Sequence, residues 1–232
     1  MTTAAMPLVS TEAMEAIAAY IEENATAAYA AKVKKFKHYP GQTFSSENWM
    51  DRNAELRSYL SGAWGSGSDT ARTAMVVWYI KKWGGISRLK DKHIASYAAA
   101  GPPSIDVKNF DKIASWSKAL AMMQPTQFAI YDARVAFALN AIQAVRLGWV
   151  QTWFRIPTTQ KGIIKRAHKG LECYATPNTK VLGDAEVYGA YLDVLKGAHS
   201  FDLERAEMIL FALTDDIGAK ISPMPTIPRP QL

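Results

Sequence analysis

The chain has 232 residues, 49% of them hydrophobic and 21% charged, which is enough apolar material for a packed core and too much for a disordered polypeptide. A single cysteine, Cys173, excludes an internal disulfide and any cysteine-rich zinc or iron–sulfur centre. The net charge of +6 suits a polyanion such as nucleic acid, and no apolar run approaches the roughly 18 residues needed to span a bilayer.

Helical signals dominate from the start of the chain. Residues 10–36 read as a long Ala-rich helix with Ser10 or Thr11 as N-cap, and Pro40-Gly41 breaks it. A second helix is expected from about Ser46 to Leu60, and "SGAWGSGSD" (61–69) reads as a flexible loop. Ser68 or Asp69 then caps a third helix over "TARTAMVVWYIKKW", which Gly84-Gly85 ends. Shorter helices are predicted over 90–100 and 106–123, on either side of Gly101-Pro102-Pro103. A further helix headed by Asp132 runs to about Leu147. Residues 148–182 mix Trp, Thr, Gly and Pro and give no clear period, although "GIIKRAHKGLECYA" within them fits a helix. Helices over 183–196 and 202–214 follow, and residues 221–232 form a Pro-rich tail. The expected fold is mainly α, with residues 1–220 as one intertwined helical domain.

Two charged residues stand in apolar surroundings. Asp132 follows the apolar run Phe128-Ala129-Ile130-Tyr131 and heads a helix, where a carboxylate accepts backbone N–H bonds and offsets the helix dipole. A carboxylate fixed in this way also suits a site that must stabilise developing positive charge. Fourteen residues earlier, Lys118 lies among Ile113, Trp116, Leu120, Met122 and Met123. Most lysines on amphipathic helices are exposed. In an apolar setting the amine loses its proton more readily and becomes a nucleophile able to form Schiff bases.

The stretch "SWSKALAMM…P…FAIYDARVAFAL" resembles the catalytic region of helix-hairpin-helix DNA glycosylases, in particular the branch with the 8-oxoguanine DNA glycosylase fold. The resemblance extends to the upstream "WYIKKWGGISR" and implies two helical lobes around a cleft. It places Lys118 at the position of the lysine nucleophile and Asp132 at that of the catalytic aspartate. The stretch "DKIASWS" stands where the family's hairpin has glycines, and it has none.

The implied activity is to flip a modified base out of double-stranded DNA and cleave its N-glycosidic bond, with Lys-dependent strand cleavage as an extension. The base would be 8-oxoguanine or another modified base, including those of phage DNA. Trp78, Trp83, Gly84 and Phe211 are the candidate base-pocket residues, with Tyr79 and Gly85 beside them. Aromatic residues at helical spacing more often belong to a core. Phosphate contacts are expected from basic clusters at 32–38, 81–82 and 161–169, above all from Lys161, Lys165 and Arg166. The four histidines show no metal-ligand spacing, so neither metal nor cofactor is expected. Without a leader or membrane span, a cytoplasmic monomer is predicted. The competing reading is a non-catalytic helical module that binds DNA or another protein.

Overall fold

Helix starts marked in the sequence by Ser, Asn or Asp are capped by those side chains. Ser10 accepts from the Ala13 N–H at 3.2 Å, Asn48 from Met50 at 2.7 Å, Ser68 from Ala71 at 3.3 Å and Asp202 from Arg205 at 2.7 Å. The computed structural model describes residues 7–31, 36–99, 109–159 and 161–221, and these are mainly α-helical. The helices are α1 (Thr11–Ala30), α2 (Trp49–Ser66), α3 (Asp69–Val77), α4 (Asp91–Ala99) and α5 (Ile113–Met123). After them come α6 (Ala133–Leu147), α7 (Gly162–Glu172), α8 (Val187–Gly197) and α9 (Leu203–Lys220). The Gly-Pro-Pro segment, most of the first basic cluster and the tail beyond Ile221 lie outside the described residues.

Several boundaries differ from the sequence reading. The first helix stops at Ala30, where Ala31 is already extended, and does not continue to residue 36. The Gly/Ser-rich stretch expected as a loop is helical to Ser66. Its last turns are anchored: Ser61 Oγ donates to the Met123 carbonyl at 2.7 Å, and Arg72 Nε donates to that of Trp64 at 3.1 Å. The third helix changes character at Trp78–Trp83, which form a π-helical turn. A 3-10 turn, Phe110–Lys112, leads directly into α5 where the hairpin was expected.

The unreadable stretch 148–182 contains two short strands, β1 (Val150–Trp153) and β2 (Ala175–Val181). They pair in parallel, with Val150 opposite Ala175 and Trp153 opposite Val181, and α7 supplies the crossover that parallel strands require. The free side of β1 is completed by two buried amides of α6. Gln143 Oε1 accepts from the N–H groups of Gln151 and Thr152, and Asn140 exchanges bonds with the N–H and C=O of Phe154. Side chains thus stand in for a third strand. The helix α6 is buried on nearly every face, packing on α1, α7, α9 and β1, and it anchors the core from which the site is built.

Candidate active site

Between α5 and α6 the chain crosses the core as an extended segment, Ala129–Tyr131, whose backbone groups cannot reach water. Side chains satisfy most of them. Tyr188 and Tyr191 of α8 donate their hydroxyls to the carbonyls of Ala129 (2.9 Å) and Ile130 (2.8 Å). Glu207 of α9 accepts from the Ile130 N–H at 3.3 Å, while Ser117 both accepts from the Tyr131 N–H and donates to the Tyr131 carbonyl. Burial pushes the phenols of Tyr188 and Tyr191 up, which keeps their donor protons in place.

This segment delivers Asp132 to the start of α6. Its Oδ1 accepts from the Arg134 N–H at 2.9 Å and from that of Val135 at 3.2 Å, the capping role read from the sequence. Its Oδ2 is turned to the ammonium of Lys118, 3.8 Å away. One oxygen holds the helix and the other faces the amine.

Lys118 itself is 5% exposed, and its Nζ donates to the Ala114 carbonyl one turn earlier at 3.3 Å. Its stem passes over Gly84. A β-carbon at Gly84 would lie 2.8 Å from Lys118 Cδ, 2.9 Å from Cε and 3.0 Å from the Ile80 carbonyl oxygen. The close approach rests on the π-helical turn, in which the Gly84 N–H bonds the Tyr79 carbonyl five residues back at 2.8 Å.

Lys118 and Asp132 line a cavity of about 240 Å³. Its aromatic walls are Phe36, Trp49, Trp83 and Phe211, all partly exposed. Trp83 stacks on buried Tyr79 with ring centroids 4.4 Å apart, and the Arg134 guanidinium lies 4.3 Å from the Phe211 ring centre. The floor is polar. Asn53 and Arg57 of α2 face Glu207 of α9, and all three are buried. Arg57 pairs with Glu207 at 2.7 Å and Glu204 at 3.2 Å, and donates to the Tyr79 hydroxyl at 2.9 Å. Burial, only partly offset by Arg57, pushes the Glu204 carboxyl up to about 7.

Of the residues singled out in the sequence, Lys118, Asp132, Trp83, Gly84 and Phe211 meet at this cavity. Trp78 does not line it. That ring packs edge-on against Tyr39 at 5.0 Å, because the π-helical turn carries Trp83 to the cavity and Trp78 to another face. Tyr79 lies behind Trp83, and Gly85 is an exposed turn residue at φ +73°. Lys161 is paired with Asp215, which also lies 3.8 Å from Arg134, and burial lowers the lysine's pKa. Lys165 and Arg166 are exposed on α7.

Sequence reasoning missed Phe36, Trp49, Asn53, Arg57 and Glu207. A signal existed for part of this set: Trp49, Asn53 and Arg57 recur every four residues, which puts them on one face of α2. Among the described residues no cluster of His, Cys, Asp and Glu is placed to hold a metal ion, and no helix is long and apolar enough to cross a membrane. No family model, curated protein or solved structure matches the chain.

Proposed function

We propose that the chain is a DNA glycosylase of the helix-hairpin-helix type, in which Lys118 and Asp132 cleave the N-glycosidic bond of a modified base held in the cavity. The observation that carries the reading is the pair itself: a buried lysine amine 3.8 Å from a carboxylate oxygen, beside an aromatic-walled cavity. Flat aromatic walls suit a base that has left the duplex stack. The net charge of +6 and the exposed Lys165 and Arg166 on α7 suit the phosphate backbone. The base is 8-oxoguanine or another modified base, including those of phage DNA, and the chain acts as a cytoplasmic monomer.

The chemistry follows from the division of labour at Asp132. As the C1′–N bond breaks, its electron pair leaves with the base, which takes up a proton, and positive charge grows on the sugar. Asp132 Oδ2 faces that charge while Oδ1 stays fixed by the helix start. Lys118, after giving up a proton, attacks C1′. Opening of the sugar ring then gives an iminium linkage, and loss of a C2′ proton expels the 3′ phosphate by β-elimination. With water as the nucleophile the product is an abasic site.

Borohydride reduction tests the assignment, because it converts the imine to a stable amine. A covalent protein–DNA adduct is expected with the wild type and none with Lys118→Gln. Equal trapping in Lys118→Gln would move the nucleophile to another amine. Gly84→Ala should act on the same step: its methyl displaces the Lys118 stem, so the turnover number falls about 100-fold while affinity for undamaged duplex, whose bases stay outside the cavity, holds. Unchanged turnover in Gly84→Ala would show that the lysine's placement does not limit the reaction.

A further inference from the structure

Asp215 of α9 holds two cations with its two oxygens. Oδ1 accepts from the ammonium of Lys161, the residue before α7, and Oδ2 lies 3.8 Å from Arg134 Nη2 in the first turn of α6. Among the described residues neither cation has a second carboxylate in ion-pair range, so one positive charge stays uncompensated. The cluster borders the cavity. The Arg134 guanidinium lies 4.3 Å from the ring centre of Phe211, a cavity wall, and the Arg134 N–H bonds Asp132 Oδ1 at 2.9 Å. Burial lowers the Lys161 pKa, the hydrogen bond to Asp215 opposes this, and the charge of Asp132 also reaches the ammonium.

A base lodged in the cavity leaves its sugar at the mouth, beside Lys118 and Asp132, with a phosphate on either side of that sugar. Cations at the mouth are what meets those phosphates once the nucleotide has left the stack. Two cations spaced to share one carboxylate can also share a phosphodiester, since each anion offers two oxygens on one central atom. Asp215 is held weakly enough to be exchanged. Its side chain is 51% exposed and its pair with Arg134 is long, so water already competes for it. We propose that Arg134 and Lys161 form a phosphate clasp at the cavity mouth, in which Asp215 stands in for the DNA phosphodiester until DNA displaces it. This rests on the glycosylase reading, which sets the sugar at the mouth. Asp215 then acts as a built-in competitor of the backbone, and DNA must supply what the carboxylate gives up.

The test uses the full chain and fluorescence anisotropy with a labelled duplex carrying one tetrahydrofuran abasic analogue, whose sugar leaves the stack without a recognised base. Asp215→Asn should bind it about fivefold more tightly than the wild type, because the competing charge is gone. Asp216→Asn, the same charge change on the exposed neighbouring residue, is the control and should gain less. Arg134→Gln and Lys161→Gln should each weaken binding and flatten its salt dependence by about one unit of slope. In the Arg134→Gln/Lys161→Gln double variant, adding Asp215→Asn should change nothing. Three results overturn the inference: no larger gain in Asp215→Asn than in Asp216→Asn, the same gain without the two cations, or unchanged salt slopes in the cation variants. Inorganic phosphate at matched ionic strength should compete no better than chloride. Displacement of the duplex by millimolar phosphate would assign the clasp to a free anion and overturn the DNA assignment. A trapped adduct with no gain in Asp215→Asn removes this inference alone. The gain and its loss with the cations, without base release from any duplex, keep the clasp and remove the glycosylase reading.

Discussion

Asp132→Asn is expected to slow base release by about 100- to 1000-fold while leaving the fold and duplex binding in place. Asparagine keeps an oxygen where Oδ1 accepts from Arg134 and Val135, so α6 retains its cap. The lost ion pair to Lys118 is long, at 3.8 Å, and one partner reaches solvent, so the stability cost should be about 1 kcal/mol. What disappears is the negative charge beside Lys118, which in the proposed reaction faces the sugar. Single-turnover base release, thermal melting and duplex affinity measured on one preparation separate these effects. Full activity would leave Asp132 as a helix cap and return the chain to a non-catalytic helical module.

The largest loss of stability is expected from Arg57→Met. Arg57 is 1% exposed and pairs with both Glu207 and Glu204. Removing the cation leaves two buried carboxylates facing one another, a change that costs about 3–5 kcal/mol. Chemical denaturation measures it directly, and a loss below about 1 kcal/mol would mean that water already shields the floor. The same cluster sets a pH dependence. The Glu204 carboxyl is raised from 4.5 in the unfolded chain to about 7 in the folded one, so the folded state binds the proton more tightly. The stability this contributes is fully present below pH 4.5 and is lost as pH rises through about 7. Glu204→Gln should therefore flatten the fall in stability between about pH 5 and about pH 8.

The Lys118–Asp132 pair was legible in the sequence because both members break a local pattern. Asp132 stands at a helix start after an apolar run, and Lys118 sits inside an apolar helix face. The floor was not legible in the same way. Asn53, Arg57 and Glu207 lie on helices of mixed polarity, where a charged residue normally marks the solvent side. Only the meeting of α2 with α9, about 150 residues apart in the chain, turns them inward together. The strands escaped for a related reason. At four and seven residues they are too short for a period to register, and β2 is exposed along most of its length. The segment 61–66 misled in the opposite sense, since its glycines and serines suggest a loop and tertiary anchors keep it helical.

The π-helical turn at Trp78–Trp83 behaves as a one-residue insertion that the chain has kept. Removing a single residue there would let the turn relax to ordinary α-helical pitch, with shorter hydrogen-bonded rings and a locally more comfortable backbone. It would also rotate everything downstream by about 100° around the helix axis. Gly84 would swing away from the Lys118 stem, and Trp83 would leave the wall of the cavity. Local helical comfort and the phasing of the site thus pull in opposite directions along these six residues.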